Sequence, residues 1–93
     1  MEARTKILFA DDEPDILDII SFNLEKEGYE VILPKDGQQA FDLCKSNRPD
    51  LIILDVMMPY KTGIQVCNLL RQLPDFKETP IVLLTALNDE TSH

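Results

Sequence analysis

Three runs of four consecutive apolar residues stand along the chain: Ile7-Leu8-Phe9-Ala10, Leu51-Ile52-Ile53-Leu54 and Ile81-Val82-Leu83-Leu84. None alternates with polar residues, which is the pattern of strands covered on both faces of a parallel sheet. Tyr29 to Leu33 alternates weakly and reads as another strand, stopped by Pro34. Between these runs apolar residues return at helical spacing. Pro14 suits a first helical turn, where its missing N–H is not needed. From there to Glu27, Ile16, Ile20 and Leu24 recur with Leu17 beside them, and Gly28 follows where a helix end favours a left-handed residue. Asp36-Gly37 signals the entry to a second helix carrying Ala40, Leu43 and Cys44, which Asn47-Arg48-Pro49-Asp50 ends. A loop from Val56 to Gly63 leads into a third helix with Ile64, Val66, Cys67, Leu69 and Leu70, ended by Pro74. Asn88 to His93 reads as the opening turn of a fourth helix. Strands alternating with helices over short loops predict right-handed crossovers and a parallel α/β sheet with helices on both faces.

Length and composition narrow the function. At 93 residues the chain is one small domain. It is 44% hydrophobic and 28% charged, as a globular protein is. No apolar run approaches the ~20 residues that cross a bilayer, and Met1 to Lys6 does not read as a signal peptide. Cys44 and Cys67 fit no metal or redox spacing and are expected to be reduced thiols on helices, in keeping with a cytoplasmic protein. The formal net charge of −8, with no basic stripe, argues against nucleic-acid binding by this segment.

Most of the acids read as solvated surface, but three stand apart. Asp11 and Asp12 follow the first apolar run and Asp55 follows the second. Parallel sheets present their chemistry at the carboxyl ends of their strands, so these acids are expected on one edge. An Asp in such a place also serves commonly as a helix N-cap, which is the bland alternative. If the three converge, they suit Mg²⁺, which takes oxygen ligands and needs only one or two carboxylates. Without a cation they repel, and at least one is expected to titrate above its usual value. A free carboxylate beside Mg²⁺ can act as a nucleophile toward phosphorus. Thr85, at the end of the last run, offers a hydroxyl that can bond a phosphoryl oxygen. No glycine-rich phosphate loop, nucleophile elbow or His/Cys ligand set competes.

Ile7–Pro14 (ILFADDEP), Leu51–Gly63 (LIILDVMMPYKTG) and Pro80–Ala86 (PIVLLTA) together resemble the receiver domain of two-component response regulators. The resemblance runs over essentially the whole chain, in order and in spacing. It implies a flavodoxin-like sheet with Asp55 as phosphoacceptor, loaded by a sensor histidine kinase or phosphotransfer protein. It implies further that Asp12, Asp55 and the backbone carbonyl of Met57 hold Mg²⁺, with Asp11 acting through water or a secondary contact. Thr85 becomes the hydroxyl that moves onto the phosphoryl group. The chain is then a signalling module rather than an enzyme.

Measured against that family, residues 1–93 are expected to form a receiver truncated after its fourth strand. The strand order is then 2-1-3-4, with the fifth strand, its lysine and the last helix absent. The expected consequences are slow phosphorylation, weak stability and self-association through the open edge of Ile81–Leu84. Lys61 is expected to be a surface lysine, and Thr62, where an acid is common in the family, to matter little. Apolar Met57 and Leu87 offer nothing to orient a hydrolytic water, so a phosphorylated Asp55 is expected to be long-lived. The rival readings are a docking module that is never phosphorylated and an Asp-dependent phosphatase. The second is disfavoured because Met57 stands where a general acid is needed.

Overall fold

The structure, a computed structural model, describes residues 4–85. The elements run β1 (Lys6–Ala10), α1 (Pro14–Lys26), β2 (Glu30–Ile32), α2 (Gly37–Asn47), β3 (Leu51–Asp55), α3 (Gly63–Arg71), a 3-10 turn (Pro74–Phe76) and β4 (Ile81–Leu84). The four strands form one sheet in the order β2-β1-β3-β4, and every pairing is parallel. Chain order therefore reverses between β1 and β3, and a crevice opens there beyond the strand tips. The predicted topology holds. The expected opening turn from Asn88 lies outside the described residues.

Pleating divides the sheet's side chains between two faces. Leu8 and Ala10 of β1 and Ile52 and Leu54 of β3 point into a core closed by Ala40 and Cys44 of α2 and Val66 and Leu70 of α3, with Met58 and Phe76 at its ends. Leu8, Ile52, Leu54, Val66 and Leu70 are fully buried. Cutting one of these leucines to alanine would cost about 2–5 kcal/mol. On the other face Ile7 and Phe9 are buried, with Leu17 of α1 the one buried residue of that helix.

The apolar stripe of α1 is buried less than its spacing suggests. Ile20 and Leu24 are half-buried, while Ile16, Ile19 and Phe22 are 37%, 58% and 68% exposed. Periodicity reports which residues share a helix face and says nothing of how much covers it. Strand β4 is the open edge that the sequence predicts: Ile81 is half-buried, Val82, Leu83 and Leu84 are exposed, and its outer side is unpaired among the described residues.

Helix ends follow local chemistry. Pro14 occupies the first turn of α1, and Gly28 (φ +96°) ends it, with its N–H on Glu25 and the Tyr29 N–H on Leu24. Asp36 caps α2 by accepting from the Gln39 N–H at 2.8 Å. Helix α3 stops at Arg71, ahead of Pro74, which opens the 3-10 turn instead. The Arg71 guanidinium donates to the carbonyls of Phe76, Lys77 and Thr79, tying the return to β4.

Candidate functional site

Strand β1 ends in Ala10, so Asp11 and Asp12 emerge at its tip, while Asp55 is the last residue of the neighbouring β3. The pairing of Ala10 with Leu54 sets both tips level, across the crevice where the strand order reverses. Each of the three acids presents an oxygen, and these oxygens lie within 4.8 Å of one another. Asp11 is buried, Asp12 exposed and Asp55 between the two.

Helix capping does not account for these acids. The N-cap of α1 is Glu13, whose side chain makes no capping bond. Asp11 instead accepts the Glu13 N–H at 3.0 Å, an Asx-type turn that orients its carboxylate. Helix α3 is capped by Thr62, which accepts from the Gln65 N–H at 3.2 Å while Gln65 Oε1 accepts the Thr62 N–H at 2.9 Å. Asp55 has one partner, the Met57 N–H at 3.1 Å on Oδ1, which leaves Oδ2 free of protein hydrogen bonds among the described residues.

The electrostatics agree with this arrangement. Partial burial, followed by the charges of Asp11 and Asp12, pushes the Asp55 carboxyl above its usual range, against the Met57 N–H that favours the charged form. Repulsion among the acids is present, as the sequence suggested, but burial is the larger cause. A cluster made only of oxygen donors, carrying uncompensated negative charge, matches a small divalent cation such as Mg²⁺.

Thr85 lies immediately beyond Leu84, the register partner of Asp55, and is exposed. The Val56 N–H donates to the Leu84 carbonyl at 2.9 Å, so the Asp55–Val56 and Leu84–Thr85 backbones run together at the sheet edge. Met57 is 70% exposed, while Met58 turns inward to the core. Leu87 lies outside the described residues. Cys44 is buried, its thiol pushed up to about 12 by desolvation, and Cys67 is half-buried; both belong to the packing.

Three features of the loop from Asp55 to Gly63 escaped sequence reasoning. Tyr60 holds φ +70°, in a three-residue turn closed by the Lys61 N–H on the Pro59 carbonyl at 2.9 Å. Its signal was faint: a proline one place earlier marks a turn but not its hand. Gly63 sits so close to β3 that a Cβ there would fall 2.5 Å from the Asp55 carbonyl oxygen. Thr62, expected to matter little, is the α3 cap. The Thr62-Gly63-Ile64-Gln65 spacing of a capping box was there to be read. A cavity of about 340 Å³ lined by Tyr60, Lys61, Gln65, Asn68 and Leu69 opens beside the loop and includes none of the three acids.

Comparison with known proteins agrees with the geometry. The family model of the response regulator receiver domain matches residues 7–93. The chain is 46% identical over 85 residues to the alkaline phosphatase synthesis transcriptional regulatory protein PhoP of Bacillus subtilis, a match covering 91% of this chain. It spans about a third of that relative's length (35%). Among solved structures, the chemotaxis response regulator CheY4 of Vibrio cholerae superposes with a TM-score of 0.86 at 36% identity, over 96% of this chain and 75% of that one. The BeF3-activated receiver domain of Klebsiella pneumoniae RstA gives 0.80 at 35% identity, over 95% and 73%.

Proposed function

This chain belongs to the response regulator receiver family of two-component signalling, and from that premise we propose that Asp55 is its phosphoacceptor. The observation that carries the assignment is the convergence of Asp11, Asp12 and Asp55 at the β1 and β3 tips, with none of the three used as a helix cap. Asp12, Asp55 and the Met57 carbonyl would hold Mg²⁺, with Asp11 acting through water. When bound, the ion neutralises charge on the phosphoryl oxygens. Asp55 Oδ1 stays on the Met57 N–H, which orients the carboxylate and leaves the Oδ2 lone pair to attack phosphorus. The bond to the donor breaks as the new O–P bond forms, and its electron pair departs with the donor, an imidazole nitrogen where the donor is a phosphohistidine. Thr85, one place past the register partner of Asp55, supplies the hydroxyl that turns toward the new phosphoryl group.

The phosphodonor on this reading is a sensor histidine kinase or phosphotransfer protein, met in the cytoplasm, with residues 1–93 acting as one receiver unit. Among the described residues no helix is long and apolar enough to cross a membrane. A second interaction is proposed at β4, whose outer edge is unpaired among the described residues and whose Val82, Leu83 and Leu84 are exposed: pairing there with another copy of the chain. A compact monomer by light scattering at micromolar concentration would refute that pairing.

Acetyl phosphate with Mg²⁺ tests the central claim. On a phosphate-affinity gel the wild-type chain should show a retarded band that chelator prevents and Asp55→Asn lacks. A retarded band in Asp55→Asn, or none in the wild type, would overturn the assignment.

A further inference from the structure

Outside the acid cluster, one contact in the loop that follows Asp55 has no counterpart in any pattern of the sequence. Gly37, the first residue of α2, donates its N–H to the Pro59 carbonyl at 3.2 Å. Its Cα lies against Lys61 so closely that a Cβ would overlap the Lys61 carbonyl oxygen, at 2.5 Å from the carbonyl carbon and 2.6 Å from the Lys61 Cβ. Gly37 is itself buried. The N–H and the Cα of Gly37 thus both bear on the acceptor loop from outside, and the preceding turn reaches the other tip, where the Asp11 N–H bonds the Pro34 carbonyl at 3.3 Å.

The segment gripped in this way is the strained one. Tyr60, with φ +70°, lies between the Pro59 carbonyl that Gly37 engages and the Lys61 carbonyl that Gly37 abuts. A left-handed conformation at a residue bearing a Cβ costs about 1–2 kcal/mol and persists only where the surroundings impose it. The Tyr60 side chain is 84% exposed, so its own packing does not impose it. Gly37 holds the residues on either side of it, with its N–H on the Pro59 carbonyl and its Cα against the Lys61 carbonyl.

We propose that Gly37 is a positioning residue for the metal and phosphoryl site: the first turn of α2 clamps the Pro59–Lys61 turn and so fixes where the loop presents Met57. The inference rests on the Mg²⁺ reading given above and adds a control point on a different element. Gly37 acts through Pro59 and Lys61. Only glycine fits, because any Cβ must displace backbone rather than the end of a flexible side chain.

Two experiments test this on the intact chain. The first is Mg²⁺ titration calorimetry of Gly37→Ala beside Gly28→Ala. Gly28 has φ +96° and no atom within 4 Å of the place a Cβ would take, so its substitution strains the backbone away from the site. Both variants lose thermal stability, but only Gly37→Ala should bind Mg²⁺ more weakly, by about 10-fold or more, as losing a support behind a metal ligand does. Equal affinity in Gly37→Ala and wild type would overturn the clamp. The second uses the wild type alone and covers a Gly37→Ala chain that does not fold. The chain has 3 glycines, so their amide NMR signals are readily assigned. On adding Mg²⁺ the Gly37 amide should shift together with that of Met57, while Gly28 stays put. A shifting Met57 with a silent Gly37 refutes the clamp alone; if neither shifts, the metal reading fails and the clamp falls with it.

Discussion

Replacing Asp55 by Asn should make the metal-free protein more stable while removing the group on which the proposed chemistry depends. The oxygens of Asp11, Asp12 and Asp55 lie within 4.8 Å of one another. Two unit charges at that spacing repel by about 1 kcal/mol in water and about 3.5 kcal/mol at an effective dielectric of 20. Asp12 is exposed and Asp11 buried, so water screens the first pair more than the second. Roughly 2–3 kcal/mol of repulsion is relieved on these terms. Against it stands a weaker bond from the Met57 N–H to a neutral amide oxygen, a loss of about 0.5–1 kcal/mol. The net gain is at least about 1–2 kcal/mol, because the neutral amide also escapes the desolvation that burial imposes on the carboxylate, and for a domain of this size that raises the melting temperature by roughly 5–10 °C or more. The pH dependence has a definite sign. Because Asp55 titrates above the ordinary 3.8 in the folded state, the native protein holds that proton more tightly than the unfolded chain does. The penalty is absent below 3.8, where both states are protonated, and it is complete once pH exceeds the raised folded value. Thermal melts of wild type and Asp55→Asn in chelator should therefore differ at pH 7 and converge on acidification. With Mg²⁺ at ten times its dissociation constant the wild type should regain about 1.4 kcal/mol, and the variant much less. A variant that melts at or below wild type in chelator at neutral pH, or a gap that persists at low pH, would refute the account of the cluster.

Three further outcomes follow. Tyr60→Gly should raise stability by about 0.5–1 kcal/mol, since relief of the left-handed strain exceeds the added freedom of the unfolded chain; an unchanged or lower melting temperature would show that the turn is not strained. Cys44, its thiol pushed up to about 12 by burial, should resist a disulfide-exchange reagent in the native protein while Cys67 reacts first; equal rates would contradict the packing of α2. Met57→Asn should shorten the lifetime of the phosphorylated protein at least a few-fold, by offering a polar group to the attacking water, and a time course on phosphate-affinity gels with unchanged decay would argue against that role.

Much of this architecture could be read in the chain because the governing physics is local. Four residues without a polar interruption leave a strand no wet face, and that is enough to place Ile7–Ala10, Leu51–Leu54 and Ile81–Leu84 in a parallel sheet. Right-handed crossovers then bring the tips of β1 and β3 together, so the meeting of Asp11, Asp12 and Asp55 follows from strand endings alone. The extent of coverage was not legible. Ile16, Ile19 and Phe22 of α1 share the apolar character of buried residues yet lie open, since burial depends on what packs from elsewhere. The handedness of Tyr60 was also hidden, because a Pro-Tyr pair fits turns of either hand and the choice is imposed by α2.

That last case shows how the site divides its labour. The acids are set by strand endings, and their identities carry the chemistry openly. The geometry of the loop between Asp55 and Gly63 is set by glycines whose significance is steric. Gly63 lets α3 start against the Asp55 carbonyl, and Gly37 lets α2 start against Lys61. Each glycine is the first residue of its helix, and each helix also contributes to the buried core through Ala40 and Cys44 or Val66 and Leu70. Core packing therefore holds the helices, the helix starts hold the loop, and the loop holds Met57 beside Asp55. A substitution deep in the α2–α3 core, such as Leu70→Ala, should on this reasoning loosen the Mg²⁺ site as well as lower stability, whereas the backbone strain of Gly28→Ala, at the α1 end, should lower stability alone.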